Sequence, residues 1–340
     1  MKPFLGLFAN WDVVTRQEPP GFLERFFTAK SDSEIFIPEK LHSRILSSLA
    51  NPERMIGGNA ANAAVTLSEI GIASVLSCPA RPRKLMSELS KQNISLILQG
   101  KEKSPLSCIR KDEEPEHIIF EREKYRKIFN YDKVQLDFLL DWDFWDSIKN
   151  ASYMFLSGFH TVPKKHRKKV NEIADLLDNR KFKTHVELGY GKGIMGYAIK
   201  KLLDRNCIDS LGMNETELKA LGISGSNPLV LKEKLFSFLE KTNMERMSLH
   251  TREYRLSVFR KNPERNRKAA ELSVQACAAK ALGGIRENME KAKSVSRSAV
   301  KAEKGDNFFI IPTRVVEAPK IIVGLGDAAA VTDSFYALKK

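Results

Sequence analysis

The residues of this chain whose types and spacing best suit chemistry lie in Ile321-Ile322-Val323-Gly324-Leu325-Gly326-Asp327-Ala328-Ala329-Ala330, an apolar run that stops at Gly-x-Gly-Asp and restarts with small, helix-compatible residues. The β-branched residues predict a strand, the two glycines a tight turn, and the following segment the start of a helix. Backbone amides that converge at a helix N-terminus bind anions, because the first turn's donors are unpaired and the helix dipole is positive there. Asp327 would then sit where a phosphoryl group arrives, placed to accept a proton from an attacking hydroxyl. The same pattern also fits an ordinary strand-to-helix turn, so the rest of the chain must decide.

Other candidates fall at the ends of predicted strands, where open α/β sheets place their ligands. Asp12 ends the first predicted strand, His185-Val186-Glu187 ends a later one, and Asn214-Glu215-Thr216-Glu217 follows directly on the strand predicted at 208–212. Two acids from adjacent strand ends, near a Gly-rich anion cradle, suit a magnesium-dependent phosphoryl transfer. Magnesium keeps most of its waters, so Glu187 and Glu217 would act partly through bound water. Plainer roles compete: Glu215 and Glu217 as helix caps, and His185 as a core histidine.

The elements that must position these residues alternate. A helix opens at Gly57-Gly58-Asn59-Ala60 and runs to Ile70, a strand follows at 73–77, and helix and strand recur over 82–98. After residue 150 come strands at 153–158, 183–188 and 208–212, helices at 164–178 and 195–204, strands at 246–250 and 254–259, and a long Ala-rich helix at 264–282. This is the pattern of a mostly parallel sheet covered on both faces. Two β-leaning inserts, at 13–50 and 104–131, break the rhythm; the second resembles a hairpin from Leu106-Ser107-Cys108-Ile109-Arg110 to 117–122. Together they predict a lid built from separate segments.

A chain of 340 residues suits one large α/β domain with a smaller attached piece. No apolar run reaches bilayer length, and the N-terminal run reads as a buried strand rather than a signal peptide, so a cytoplasmic protein is expected. Cys78, Cys108, Cys207 and Cys277 are widely spaced, which indicates neither a zinc site nor a disulfide framework. The formal charge of +14 admits nucleic acid, an anionic membrane or anionic small molecules as partners. Its sharpest cluster, Lys164-Lys165-His166-Arg167-Lys168-Lys169, reads as the solvated face of a helix without the aromatic platform of a single-strand binder. Neither nucleic acid nor membrane is therefore expected.

Taken in order, Gly57-Gly58-Asn59-Ala60, His185-Val186-Glu187, Asn214-Glu215-Thr216-Glu217 and Val323-Gly324-Leu325-Gly326-Asp327 resemble the ADP-dependent glucokinase and phosphofructokinase family of the ribokinase-like superfamily. Ala9-Asn10-Trp11-Asp12, Phe155-Leu156-Ser157-Gly158-Phe159-His160 and the approach from Ile311 to Pro319 extend the likeness. The resemblance implies a ribokinase-like three-layer αβα large domain with a mostly parallel central sheet, here expected over 1–12, 51–103 and 132–340. It implies a small, mainly β lid, expected over 13–50 and 104–131. The implied activity is transfer of the β-phosphoryl group of ADP to a sugar or sugar phosphate of the glucose or fructose 6-phosphate kind, releasing AMP, by a monomer or small homo-oligomer. By position, Asp12, Gly58, Asn59 and His160 would bind the sugar, Glu187 and Glu217 would organise magnesium, and Asp327 would be the base. Gly324, Leu325, Gly326 and Ala328 would supply the anion hole.

Three departures stand out. Members usually carry Thr-Ile-Ser and further serines where this chain has Ala328-Ala329-Ala330-Val331-Thr332. Gly189-Tyr190-Gly191-Lys192-Gly193 replaces a segment that in phosphofructokinase members leads to a basic contact for the sugar phosphate, and it lacks the Gly-Lys-Ser/Thr ending of a Walker loop. The lid segments look short. An ATP-dependent ribokinase-like kinase of another sugar or nucleoside, and a slowly catalysing ligand-binding homologue, remain the alternatives.

Overall fold

The computed structural model describes residues 2–31, 33–122, 125–189, 191 and 193–339. Its frame is an eleven-stranded sheet in the order Glu303–Lys304, Phe308–Pro312, Tyr254–Phe259, Arg246–His250, Ser210–Met213, Lys183–Glu187, Tyr153–Leu156, Pro3–Gly6, Ser74–Leu76, Ile94–Leu98, Lys101–Lys103. Every pairing from Ile94–Leu98 across to Arg246–His250 is parallel, and the outer pairings are antiparallel. Parallel strands are covered on both faces, which is why Tyr153–Leu156 is apolar and buried at every position. One face carries Arg167–Leu177, Met195–Asp204 and Pro228–Glu240; the other carries Asn59–Glu69, Arg83–Leu89 and Leu325–Leu338. The chain is a three-layer αβα protein with a mostly parallel central sheet, the architecture expected from the sequence.

A separate five-stranded sheet runs Ser33–Phe36, Arg126–Asn130, Glu116–Glu121, Asn10–Thr15, Glu53–Gly57, and a small core of Leu23, Ile37, Ile45, Ile118, Phe120 and Phe129 lies against it. The pairing moves the boundaries expected from the sequence. The N-terminal run forms two strands, Pro3–Gly6 in the large sheet and Asn10–Thr15 in the small one, so Asp12 lies inside a strand of the small sheet rather than at the end of the first large-sheet strand. Glu53–Gly57, expected in the large domain, pairs with Asn10–Thr15. Residues Pro105–Cys108 form a 3-10 turn whose Cys108 joins the large core, so the hairpin is Glu116–Glu121 with Arg126–Asn130 alone.

The helix Leu325–Leu338 packs along the Ala-rich helix Pro263–Ala281, and small side chains let the two approach closely. It is buried on nearly all sides, so its polar residues need partners inside the protein. Asp333 Oδ2 accepts from Arg246 Nη2 and Arg255 Nη2, each at 2.7 Å, and all three side chains are at most 2% exposed. Burial alone would lift the Asp333 carboxyl; the two guanidiniums overcome that and hold it below its ordinary value. Ser334 pairs with the Tyr153 hydroxyl at 2.6 Å. The helix is thus tied to two neighbouring strands by charge and to the central strand by a hydroxyl pair. Asp333→Ala should cost about 3–5 kcal/mol, because it strands two buried cations. Denaturant unfolding measures this, and a loss below about 1 kcal/mol, the level of an exposed pair, would show the clamp to be dispensable.

Candidate active site

The residues before this helix form no strand. Ile321 and Ile322 are irregular, Val323 and Gly324 turn, and the helix starts at Leu325. Val323 instead packs on Val14 and Ile119 of the small sheet and is buried without strand pairing, while Ile321 and Ile322 are half-buried. Gly324 makes the turn with φ of +69°, a conformation that a side chain would strain. By helix geometry the amides of Gly324, Leu325, Gly326 and Asp327 have no partner within the helix. Ala328 does not belong with them: its N–H bonds to the Gly324 carbonyl at 3.1 Å, and its methyl packs with Ala276, Ala279 and Ile285. The alanines at 328–330 are buried, which accounts for their being small and apolar.

A cavity of about 690 Å³ opens between this turn and the small sheet. Asp12, Gly58, Asn59, His160, Glu187, Glu217, Gly324, Leu325, Gly326 and Asp327 all line it; of the site residues expected from the sequence, only Ala328 does not. Asn59 opens the helix Asn59–Glu69 after Gly58, whose φ is +85°, and donates from Nδ2 to Asp327 Oδ1 at 2.8 Å. Among the described residues Oδ2 has no hydrogen-bond partner. Burial pushes Asp327 up to about 6, against the nearby Lys280 ammonium and the Asn59 hydrogen bond. A carboxyl poised near neutrality beside unpaired amides can both hold an anion's neighbour and take a proton.

At the small-sheet end Asp12 is buried and held by Asn10 Nδ2 at 2.9 Å, in space left by the missing side chain of Gly57. Burial raises its carboxyl, with His117 the first opposing influence. His117 lies 3.4 Å from Asp132; burial pulls it down, and the Asp132 carboxylate with Glu34 and Asp12 more than offsets this, so it sits above its ordinary value. His160 Nε2 is 3.7 Å from Glu34, and burial lowers the ring below its ordinary value against the pull of that carboxylate. Gly189, Gly191 and Gly193 close around His160, and a side chain at any of them would collide with it. Tyr190 and Lys192 of that glycine segment lie outside the described residues.

Glu187 and Glu217 converge from neighbouring elements. Glu187 Oε2 lies 3.0 Å from His185 Nε2, and its Oε1 is 3.5 Å from His250 Nδ1. His185 is a core residue, fully buried, bonded to Ser210 and stacked on Phe155. Glu217 forms a capping box with Asn214: Oε2 accepts the Asn214 N–H and Oε1 its Nδ2, both at 2.8 Å. The helix-cap role read from the sequence is therefore present, on a side chain that also faces the cavity. Burial and then the Glu217 charge lift Glu187 well above its ordinary value. Burial lifts Glu217 to about 7, with Asp327 adding to the rise and Asn214 opposing it. Among the described residues no three His, Cys, Asp or Glu side chains form a metal cluster.

A second cavity, also about 690 Å³, shares Arg126, Asn214, Thr216, His250, Ile322, Leu325 and Gly326 with the first. It has an apolar wall that includes Val274, Val315 and Ile322, and its polar wall carries Arg122, Arg252 and Arg314. The two cavities meet at the helix N-terminus. Sequence reasoning did not single out Glu34, His117, Gln135, Arg126 or His250. His117 and His250 lie in strands that carry no local mark of a site, Glu34 reaches the cavity through the pairing of Ser33–Phe36 with Arg126–Asn130, and Gln135 through the short helix Lys133–Leu136 that follows.

The Glu217 shift has a sign that stability can test. A folded-state value of about 7 against 4.5 means that the native state holds this proton more tightly than the unfolded chain, so stability falls as pH rises through that interval. Glu217→Gln stays neutral and keeps an oxygen for the Asn214 amide, and should lose less stability between pH 5 and pH 8 than the parent. Thermal unfolding at the two pH values decides; parallel pH dependence in both proteins would mean that Glu217 ionises normally.

The sequence pattern described as "ADP-specific Phosphofructokinase/Glucokinase conserved region" matches residues 21–333. An ADP-dependent glucose/glucosamine kinase of Pyrococcus furiosus is 24% identical over 250 residues, covering 62% of this chain and 51% of that protein. The chain thus spans about half the length of the curated relatives it matches. Among solved structures, an ADP-dependent kinase in complex with fructose-6-phosphate and ADPβS superposes with a TM-score of 0.83 at 20% identity, over 100% of this chain and 94% of that one. An adenosine kinase from Sinorhizobium meliloti superposes with a TM-score of 0.54 at 14% identity, over 76% of this chain and 77% of that one. With the matched pattern covering nearly its whole length, the chain belongs to the ADP-specific phosphofructokinase/glucokinase family.

Proposed function

We propose that this protein transfers the β-phosphoryl group of ADP to a hydroxyl of a sugar or sugar phosphate and releases AMP. The observation that carries the reading is the meeting of two cavities at the unpaired amides of Leu325 and Gly326, with Asp327 alongside. The second cavity, apolar on one wall and rich in arginine on another, suits a nucleotide's base and phosphates. The first, lined by Asp12, Asn59, Gln135 and His160, suits a polyhydroxylated acceptor. The relative's glucose or glucosamine and the bound fructose-6-phosphate of the similar structure support this class of acceptor. No helix among the described residues is long and apolar enough to cross a membrane, in keeping with the cytoplasmic location we propose.

In this reading the acceptor oxygen attacks the β-phosphorus as its proton passes to Asp327 Oδ2, and the bond from that phosphorus to the bridging oxygen breaks. Asn59 holds Oδ1 and thereby aims the other oxygen. Phosphoryl transfer has a loose transition state with charge on the phosphoryl oxygens, so the amides at the helix start contribute more than proton removal does. Glu187 and Glu217 fit a magnesium ion held through water: Glu187 is lifted by burial and the Glu217 charge, Glu217 by burial and the Asp327 charge, while their oxygens already have protein neighbours. Magnesium so placed would neutralise charge on the nucleotide phosphates.

Asp327→Asn should keep ADP binding within a few-fold and lower kcat by about a hundredfold or more, the usual contribution of a general base. Near-normal turnover with the best acceptor would remove Asp327 from that role. Amides fixed at one depth from the base pocket suit one polyphosphate length, since misplacing the reacting phosphorus costs rate steeply, and the family to which the chain belongs makes that length two phosphates. ADP should therefore support faster turnover than ATP at equal magnesium across a panel of sugars and sugar phosphates. Preference for ATP would assign the chain to ATP-dependent chemistry on the same fold, and absence of turnover with either would favour a binding protein.

A further inference from the structure

Lys280 stands near the end of the helix Pro263–Ala281, where that helix packs against the start of Leu325–Leu338. It is 8% exposed and lines neither cavity. A cation so buried needs partners. Its Nζ donates to the Gly324 carbonyl at 3.2 Å, and a Cβ on Gly324 would come within 2.8 Å of both this nitrogen and Asn62. The ammonium, the Asn62 side chain and the turn are therefore packed together behind the cradle.

We propose that Lys280 is a positioning residue for the transfer step: from behind the turn its ammonium fixes the Gly324 carbonyl, and with it the Leu325 and Gly326 amides, and sets a buried positive charge beside Asp327. The role rests on the reading of Asp327 as the base. The groups facing Asp327 are Lys280 and Arg126, which favour its anion, Asp12, which opposes it, and the Asn59 hydrogen bond; Glu187 and Glu217 face it across the cavity. Burial is the largest influence on Asp327, and Lys280 leads those that pull it back. The groups facing Lys280 are Asp327, Glu69, Asp12 and Cys277; burial lowers the ammonium, and these oppose that. Gly324 can hold its backbone toward the lysine only because it has no side chain.

The test reads Asp327 directly, by carboxyl 13C NMR titration with the signal assigned through its loss in Asp327→Asn, together with the pH dependence of kcat. Lys280→Met should move the Asp327 titration and the acidic limb of kcat upward by about one unit or more, the size expected for losing a nearby buried opposite charge. Its kcat at neutral pH should fall about ten- to a hundredfold through misplacement of the cradle. Lys280→Arg, which keeps the charge, should titrate close to the parent. A folded Lys280→Met protein whose Asp327 titrates as in the parent overturns the proposal, whatever its stability. Should Lys280→Met not fold, Lys280→Gln carries the same titration. The NMR readout needs no turnover, so an absence of ADP-dependent transfer would defeat the functional reading while the titration still decides the role of Lys280.

Discussion

The placement of one buried helix is the constraint on which the rest depends. Leu325–Leu338 would supply an anion cradle only if its first turn lies where the two cavities meet, and that end is held by Lys280 on the Gly324 carbonyl, Cys277 on the Leu325 carbonyl and Asn59 on the Asp327 carboxylate. The anchor lies two turns further on, where Asp333 is gripped by Arg246 and Arg255 from adjacent strands. A buried ion triad is a poor way to gain stability, since desolvation offsets most of the attraction, but it is a strong way to specify register. Sliding the helix by one residue would carry the carboxylate away from both guanidiniums. The alanines at 328–330, which stand where the resemblance led us to expect Thr-Ile-Ser, let the helix settle closely against its neighbours without asking for further polar partners.

The cavity is electrostatically unusual for a chain of net charge +14. Asp12, Glu34, Glu187, Glu217 and Asp327 all line it, and burial and mutual repulsion raise several of them. Much of the positive charge lies on outer surfaces such as the helix Arg167–Leu177, and a further part on the arginine-bearing wall of the second cavity. Such clustering of raised acids is costly and is relieved by a cation or a proton, which would tie ligand binding to the groups proposed for the chemistry. Net charge therefore says little of the cleft, because it averages over the surface.

Much of the fold is legible in the sequence from Tyr153 onward, because parallel strands buried on both faces are short continuous apolar runs and the helices between them show clear periodicity. The N-terminal segment is less so. Residues 3–9 are apolar without a break, yet the chain leaves the large sheet at Gly6 and enters the small one at Asn10, a change of partners that no local pattern records. The run before Gly324 has strand propensity, but its Val323 is spent on packing against Val14 and Ile119. Paired motifs place Glu187, Glu217 and Asp327 on one cavity, since each sits just beyond a glycine or strand end. Glu34 reaches the same cavity only through long-range pairing, Gln135 through the short helix Lys133–Leu136, and Lys280 hides in an Ala-rich helix whose sequence reads as plain packing.

The claim at the centre of this account is that the phosphoryl group is bound by the amides at the start of Leu325–Leu338, between the two cavities. Anomalous scattering from the sulfur of ADPβS, in crystals grown with magnesium, locates that group directly. The account predicts a sulfur peak at the thiophosphate within hydrogen-bonding reach of the Leu325 and Gly326 amides, on the Asp327 side of the second cavity. A nucleotide bound with its thiophosphate turned away from the helix start would contradict it.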